Sequence, residues 1–234
     1  MALDVEAACQ FVSVRLAQTA DPDKAPAMQA YMKTDMPFYG VQKAGRTIVL
    51  RDLVREYRPD TADGYQEFVL ALWNLDHREE KYIALGVARH FKDQIVPNHV
   101  DLYRRLIVEG AWWDLVDEVA THLIRHLVVG YPVASWPVVG GWIDDDDMWL
   151  RRAVLLCQVG AKWDTDTDRL FAFCAARSHE PGFFIRKAIG WALRDFARTD
   201  PAAVAAFINA HLGELSGLSY REGAKHIGHL VEPR

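Results

Sequence analysis

The chain has 234 residues, half of them hydrophobic and a quarter charged, the balance of an ordinary globular protein with apolar material for a sizeable core. No stretch approaches the roughly 18–20 uninterrupted apolar residues that cross a bilayer, which excludes a membrane-spanning helix. The net charge of -5 counts against nucleic-acid binding by overall charge, yet leaves room for a basic stripe on one face.

The opening stretch, MALDVEAACQFVSVRLAQ (1–18), carries Asp4, Glu6 and Arg15, lacks the layout of a secretion signal and reads as an amphipathic helix of the fold. Cys9, Cys157 and Cys174 are scattered and odd in number, which disfavours a disulfide framework or a cysteine zinc site and fits a reducing, cytoplasmic interior. Gly40 and Gly45 flank a short segment, but no phosphate-loop pattern follows.

Helical periodicity runs through YQEFVLALWNL (65–75), KYIALGVARHF (81–91), WDLVDEVATHLIRHLV (113–128), WLRRAVLLCQVG (149–160), FFIRKAIGWALRDFA (183–197) and PAAVAAFINAHL (201–212). Asp60 to Gly64 precedes one helix, and Asp200-Pro201 places a cap before a proline in a first turn. No alternating run bounded by Asn-Gly or Asp-Gly marks a hairpin. The expectation is about a dozen helices and no sheet, in one domain over residues 1–234.

An internal repeat sharpens the fold class. A shift of 35 residues lays Trp149-Leu150-Arg151-Arg152-Ala153-Val154 over Phe184-Ile185-Arg186-Lys187-Ala188-Ile189, each aromatic, aliphatic, basic, basic, alanine, aliphatic. The same shift backwards sets Asp117 beneath Arg152 and Tyr82 beneath Asp117. Such a period marks an all-α solenoid of HEAT-like repeats, whose inner helices line a concave groove. Asp117, Arg152 and Lys187 are then expected in one column on one face.

Basic residues cluster at Arg151–Arg152, at Arg186–Lys187 with Arg194 and Arg198, and at Arg221–Lys225. They supply Arg151, Lys187, Arg194 and Lys225 as candidate DNA-contacting cations. Arg221, Lys225 and His226 fall on one side of a last helix, where they suit phosphate contact or a solvated face equally. Trp113 and Asp117 are four apart, so on a helix they share a face with Cβ atoms ~6 Å apart, and Asp114 suits the first turn. On spacing alone the structural reading is the stronger: Trp113 in the core, and Asp117 paired with Arg152 across repeats.

Four segments in order change that balance. AWWDLVDEV (111–119), MWLRRAVL (148–155), FFIRKAIGWALRDFART (183–199) and YMKTDMPFYGVQ (31–42) resemble motifs of the AlkD-type alkylation-repair glycosylases, and the resemblance runs from about residue 24 to residue 228. It implies an active site at Trp113, Asp117, Arg152 and Trp191 with Tyr31 nearby. It also implies excision of N3- and N7-alkylated purines, such as 3-methyladenine and 7-methylguanine, from duplex DNA by a monomer. Neither a metal nor an organic cofactor is implied. A catalytically silent DNA-binding relative and a protein-binding helical scaffold are the alternatives.

Other features read as structural. Asp164–Asp168 lacks the glycine and glutamate of a calcium loop, having Arg169 and Ala175 at those places. His122 and His126 lack the glutamate of a zinc motif. Asp144–Asp147 suits the N-terminus of the following helix. Trp136, Trp142, Trp149 and Trp163 are expected to be packing residues.

Overall fold

Side-chain caps set six of the helix starts in the computed structural model, which describes residues 3–234. Asp4 accepts from the Ala7 amide, Thr61 from Gly64, Asp147 from Trp149, Asp166 from Arg169, Asp200 from Ala203 and Ser216 from Ser219. Each satisfies a donor that the first helical turn leaves unpaired. The aspartates of 144–147 and 164–168 thus end as helix caps or near them. Among the described residues there are fourteen α-helical segments and no strand, an all-α helical repeat fold. None of these helices is long and apolar enough to cross a membrane.

The chain divides into two compact units, one ending at His99 and the other Val100–Arg234. In the first, α1 (Val5–Gln18), α3 (Lys43–Glu56), α4 (Ala62–Trp73) and α5 (Arg78–His90) pack around Val12, Leu16, Leu53, Tyr65, Phe68, Leu72 and Ile83. Met1 and Ala2 of the opening amphipathic stretch lie outside the described residues. The short α2 (Ala25–Met32) ends at Lys33 in the left-handed region, and an irregular segment returns to α3. Gly40 has φ +83°, and a Cβ there would lie 2.0 Å from the Asp21 carbonyl oxygen, so only glycine fits.

The start of α5 is charged and buried. Glu79, fully buried, accepts from the amides of Gly40 and Val41 at 2.9 Å each and of Tyr39 at 3.1 Å. Glu80 accepts from Ser13 Oγ at 2.6 Å, Tyr39 Oη at 3.0 Å and the His77 amide at 2.8 Å. A buried carboxylate needs such partners to offset its desolvation. Together they tie the 33–42 segment to the helix, and burial beside Glu80 pushes the Tyr39 phenol up to about 12.

In the second unit, α6 (Val100–Gly110) leads through Ala111, at φ 37°, and an extended Trp112 into α7 (Trp113–Glu118). The helix continues as a π-helical turn, Val119–Ile124, into α8 (Arg125–Gly130). Arg125 N–H bonds the Ala120 carbonyl five residues back, and Thr121 Oγ1 donates to the Asp117 carbonyl at 2.7 Å. One turn of the helix is therefore widened directly after Asp117. Pro137 lies near the end of α9 (Pro132–Val139), which passes into a 3-10 turn, Gly140–Asp144.

Then follow α10 (Met148–Leu156), α11 (Thr167–Ala176), α12 (Phe183–Phe196), α13 (Pro201–Ala210) and α14 (Gly217–Gly223). Helix α12 packs on α10 on one side and on α14 on the other. Gly190 makes the second approach feasible, since a Cβ there would lie 2.5 Å from the Glu222 Cβ. Trp136 and Trp142 are buried as expected of packing residues. Trp163 is not. It is 78% exposed on a 3-10 turn, Lys162–Asp164, because Gln158 bonds both the amide and the carbonyl of Asp166 and closes the loop with the turn facing outward.

The repeat is visible as a contact register. Asp117 meets Arg152, Lys187 meets Glu222, and the Gly160 amide meets Asp195, each pair 35 residues apart. The first unit shows Arg15 on Asp52 and His99 on the Ala62 carbonyl, each 37 residues apart.

Candidate active site

The centre of the second unit is one ion pair. Arg152 donates from Nε to Asp117 Oδ1 at 2.8 Å and from Nη2 to Oδ2 at 2.9 Å, and its Nη1 donates to the Phe184 carbonyl at 2.6 Å. The side chains are 6% and 14% exposed, so the guanidinium is almost enclosed while an edge of the carboxylate reaches the surface. Burial pushes the Asp117 carboxyl above the usual aspartate range. The hydrogen bond and charge of Arg152 oppose that shift, and nearby Asp114 reinforces it.

A cluster of aromatic rings lies on the Arg152 side of the pair. Trp112, Trp149 and Phe184 form a mutual cluster with centroid separations of 4.9–5.9 Å, and Phe183 stands edge-on to Phe184 at 5.5 Å. The Arg152 Cζ lies 5.7 Å from the Phe184 centroid, within reach of a cation–π contact. Trp113, four residues before Asp117 on the same continuous helix, is half-buried. Of the adjacent tryptophans, then, Trp112 joins that cluster and Trp113 shares the helix face of the carboxylate.

Trp191 is also half-buried, on α12, with Lys187 four residues before it and Arg194 three after it. This spacing puts all three on one helix face. Lys187 Nζ lies 2.9 Å from Glu222 Oε1, and Arg194 pairs with Glu222 Oε2. Lys187 chiefly, with Arg194 and Lys225, holds the Glu222 carboxyl below its ordinary range.

The remaining candidates are placed differently. Arg151, 16% exposed, is bound to Glu180 at 3.0 Å and donates to the carbonyls of Asp145 at 2.6 Å and Asp146 at 2.9 Å, which leaves it little to offer a ligand. Lys225 is exposed and lies beyond the end of α14, in a 3-10 turn with His226, so the expected single last helix stops before both. In the first unit, Tyr31 is 69% exposed and lines a pocket of about 240 Å³ with Met28, Met32, Phe38, Arg46 and Tyr82. The Arg46 Cζ sits 4.3 Å from the Tyr82 centroid. Among the described residues no group of three or more His, Cys, Asp and Glu side chains is placed to hold a metal ion.

Two participants escape a reading by residue type. Phe184 contributes a backbone carbonyl, which any residue could supply. Glu222 is one 35-residue step beyond Lys187, so extending the Asp117, Arg152, Lys187 column once more would have reached it.

The comparisons with known proteins agree with this frame. A protein from Enterococcus faecalis described as a predicted DNA alkylation repair enzyme superposes with TM-score 0.80 at 27% identity, covering 89% of this chain and 96% of its own. The AlkD2 protein from Streptococcus mutans has TM-score 0.61 at 13% identity, covering 86% and 98%, a likeness of fold. No curated protein matches the chain. The family model of DNA alkylation repair enzymes matches residues 12–227, and the chain belongs to that family.

Proposed function

We propose that the protein is a DNA glycosylase that hydrolyses the N-glycosidic bond of cationic N3- and N7-alkylated purines in duplex DNA, acting as a monomer. The observation that carries this reading is a single, partly accessible carboxylate held in fixed orientation: Asp117, gripped from one side by Arg152 at 2.8 and 2.9 Å.

An alkylated purine bearing positive charge is already a good leaving group, so the reaction requires no general acid at the base. What it requires is stabilisation of the cation that develops on the deoxyribose as the bond breaks, as in other glycoside cleavages. A carboxylate preoriented before the reaction supplies this without reorganisation. Each Asp117 oxygen accepts one bond from Arg152 and retains a second lone pair, on which an attacking water can be aligned. Arg152 acts here as a positioning residue. Three of its donors are engaged by Asp117 and the Phe184 carbonyl, so it sets the carboxylate plane rather than holding a phosphate.

Trp113 on the helix of Asp117 and Trp191 on α12 offer electron-rich faces to a charged sugar or lesion, each contact worth about 0.5–2 kcal/mol. Tyr31, half-ringed by methionines and aromatics in its own unit, is a further surface for a nucleotide. The test is incubation with methylated duplex DNA and chromatography of the freed bases. Release of 3-methyladenine and 7-methylguanine that disappears on Asp117→Asn supports the proposal. No freed alkylated base above the protein-free control, after incubation with the unsubstituted protein, ends it.

A further inference from the structure

Lys187, Trp191 and Arg194 occupy one face of α12, and the two cations converge on the carboxylate of Glu222, one on each oxygen. Two acceptor oxygens on one centre are also what a phosphodiester presents, with its two non-bridging oxygens. We propose that Lys187 and Arg194 form a phosphate-binding site flanking Trp191, and that Glu222 occupies it as an internal counter-anion which a DNA-backbone phosphate displaces. The proposal rests on the reading of the protein as one that acts on duplex DNA.

The packing of α12 on α14 does not require the carboxylate of Glu222. Gly190 and Gly223 already allow close approach, since a Cβ on Gly223 would lie 3.2 Å from Leu193 Cβ, and Ser219 Oγ donates to the Arg186 carbonyl at 3.0 Å. The ions themselves are partly open, with side-chain exposures of 38% for Lys187, 24% for Arg194 and 22% for Glu222. Pairs so exposed contribute little to folding. Arg151 shows the contrast: its partners include two backbone carbonyls, which no anionic ligand can displace without undoing the turn that they belong to.

The exchange also accounts for how a chain of net charge -5 can address a polyanion. Lys225 acts electrostatically on the same carboxylate, so displacement of Glu222 unmasks Lys187 and Arg194 beside Trp191 and frees Lys225 of the same counter-charge. In the resting protein Glu222 offsets part of their charge, which lowers affinity for any anion that cannot present two oxygens at that spot. Glu222 thus sets how strongly undamaged duplex is held.

The experiment is fluorescence anisotropy with an undamaged duplex over a series of salt concentrations, using the full chain. Glu222→Gln is expected to tighten binding about fivefold or more. The slope of log K against log salt should stay near that of the parent, because the same phosphate is contacted in both. Lys187→Gln in the Glu222→Gln background should undo the gain in affinity and flatten that plot by about 0.9, the slope of one lost phosphate contact. Glu214→Gln removes the same charge from an exposed glutamate of the same unit and should change neither. An unchanged or weaker affinity in Glu222→Gln, or an equal gain in Glu214→Gln, overturns the proposal. If the parent frees alkylated bases while Glu222→Gln binds no tighter, only this inference fails. If the parent binds without freeing bases and Glu222→Gln binds tighter, only the glycosylase reading fails.

Discussion

The guanidinium of Arg152 meets the carboxylate of Asp117 through two hydrogen bonds, one to each oxygen, and its third bond runs to the Phe184 carbonyl on α12. The two partners are not equivalent when removed. Asp117→Asn keeps an Oδ1 acceptor for Arg152 and relieves a carboxylate whose burial already disfavours its charge. Arg152 also retains the Phe184 carbonyl. Arg152→Gln instead strands a buried carboxylate and unties Phe184, a loss of about 3–5 kcal/mol when one member of a buried pair goes. Urea unfolding should therefore rank Arg152→Gln as the more destabilising, with Asp117→Asn between it and the parent, because the Asn amide nitrogen faces the Arg152 Nη2 donor and the enclosed guanidinium loses its counter-charge. Base release should fall by about 10²–10³ in Asp117→Asn, the scale for losing one electrostatic stabiliser. The reverse stability order would show that the pair serves the fold and not the orientation of the carboxylate.

The pH dependence of excision follows from the same residue. The reaction needs Asp117 ionised, and burial raises its pKa above the ordinary 3.8. The acid limb of kcat/KM, which reports the free enzyme, should lie above that value and vanish in Asp117→Asn. Stability moves the other way. In acid both folded and unfolded chains hold the proton. As the pH rises through the unfolded value the unfolded chain ionises first, and the contribution of Asp117 to folding declines until the folded group ionises too. Activity should thus rise across a window in which the parent loses stability relative to Asp117→Asn. An acid limb at or below the ordinary aspartate value would contradict the buried, raised carboxyl.

Much of this was legible in the sequence, for reasons that differ by residue. Caps such as Asp147 and Asp200 mark helix starts because only short polar side chains reach a first-turn amide. The 35-residue step exposed the Asp117–Arg152 contact because the aromatic and double-basic positions of α10 and α12 carry the same residue types. Glu222 stayed hidden because residues 219–224, one step beyond α12, keep only Arg221 of the aromatic and double-basic pattern that revealed the repeat. The π-helical turn after Asp117 has no residue-type signature, being set by how the helix packs. Trp163 looked like a packing anchor, and only the closed Gln158–Asp166 loop turns it outward.

Ala111 sits at φ 37°, in the left-handed region, immediately before Trp112 and Trp113. A residue with a Cβ loses about 1–2 kcal/mol there, while glycine would cost somewhat less in extra freedom of the unfolded chain. Ala111 is exposed, so its methyl group contributes little packing. Ala111→Gly is expected to raise stability by about 0.5–1 kcal/mol without moving either tryptophan. Thermal unfolding checks the first point and tryptophan fluorescence the second. A loss of stability would mean that the methyl group holds the turn into α7.

Glu79 supports the best-defined prediction in the first unit. Its Oε1 accepts the Gly40 and Val41 amides and its Oε2 the Tyr39 amide, so three consecutive backbone donors end on one buried carboxylate. Glu79→Gln can keep the bonds at Oε1, but its amide nitrogen then faces the Tyr39 N–H, donor against donor. Hydrogen bonds to a charged group contribute about 1.5–3 kcal/mol, and the substitution should cost about that much. The damage should be local. Amide exchange ought to accelerate most at Tyr39, less at Gly40 and Val41, and little in the core of α4, because Glu79 is what anchors the segment between α2 and α3 to α5. Glu79→Ala removes all three acceptor contacts and should speed exchange at every one of the three amides. Uniform acceleration through α4 in Glu79→Gln would show instead that the carboxylate stabilises the whole unit, and that the 33–42 segment is held by its other contacts.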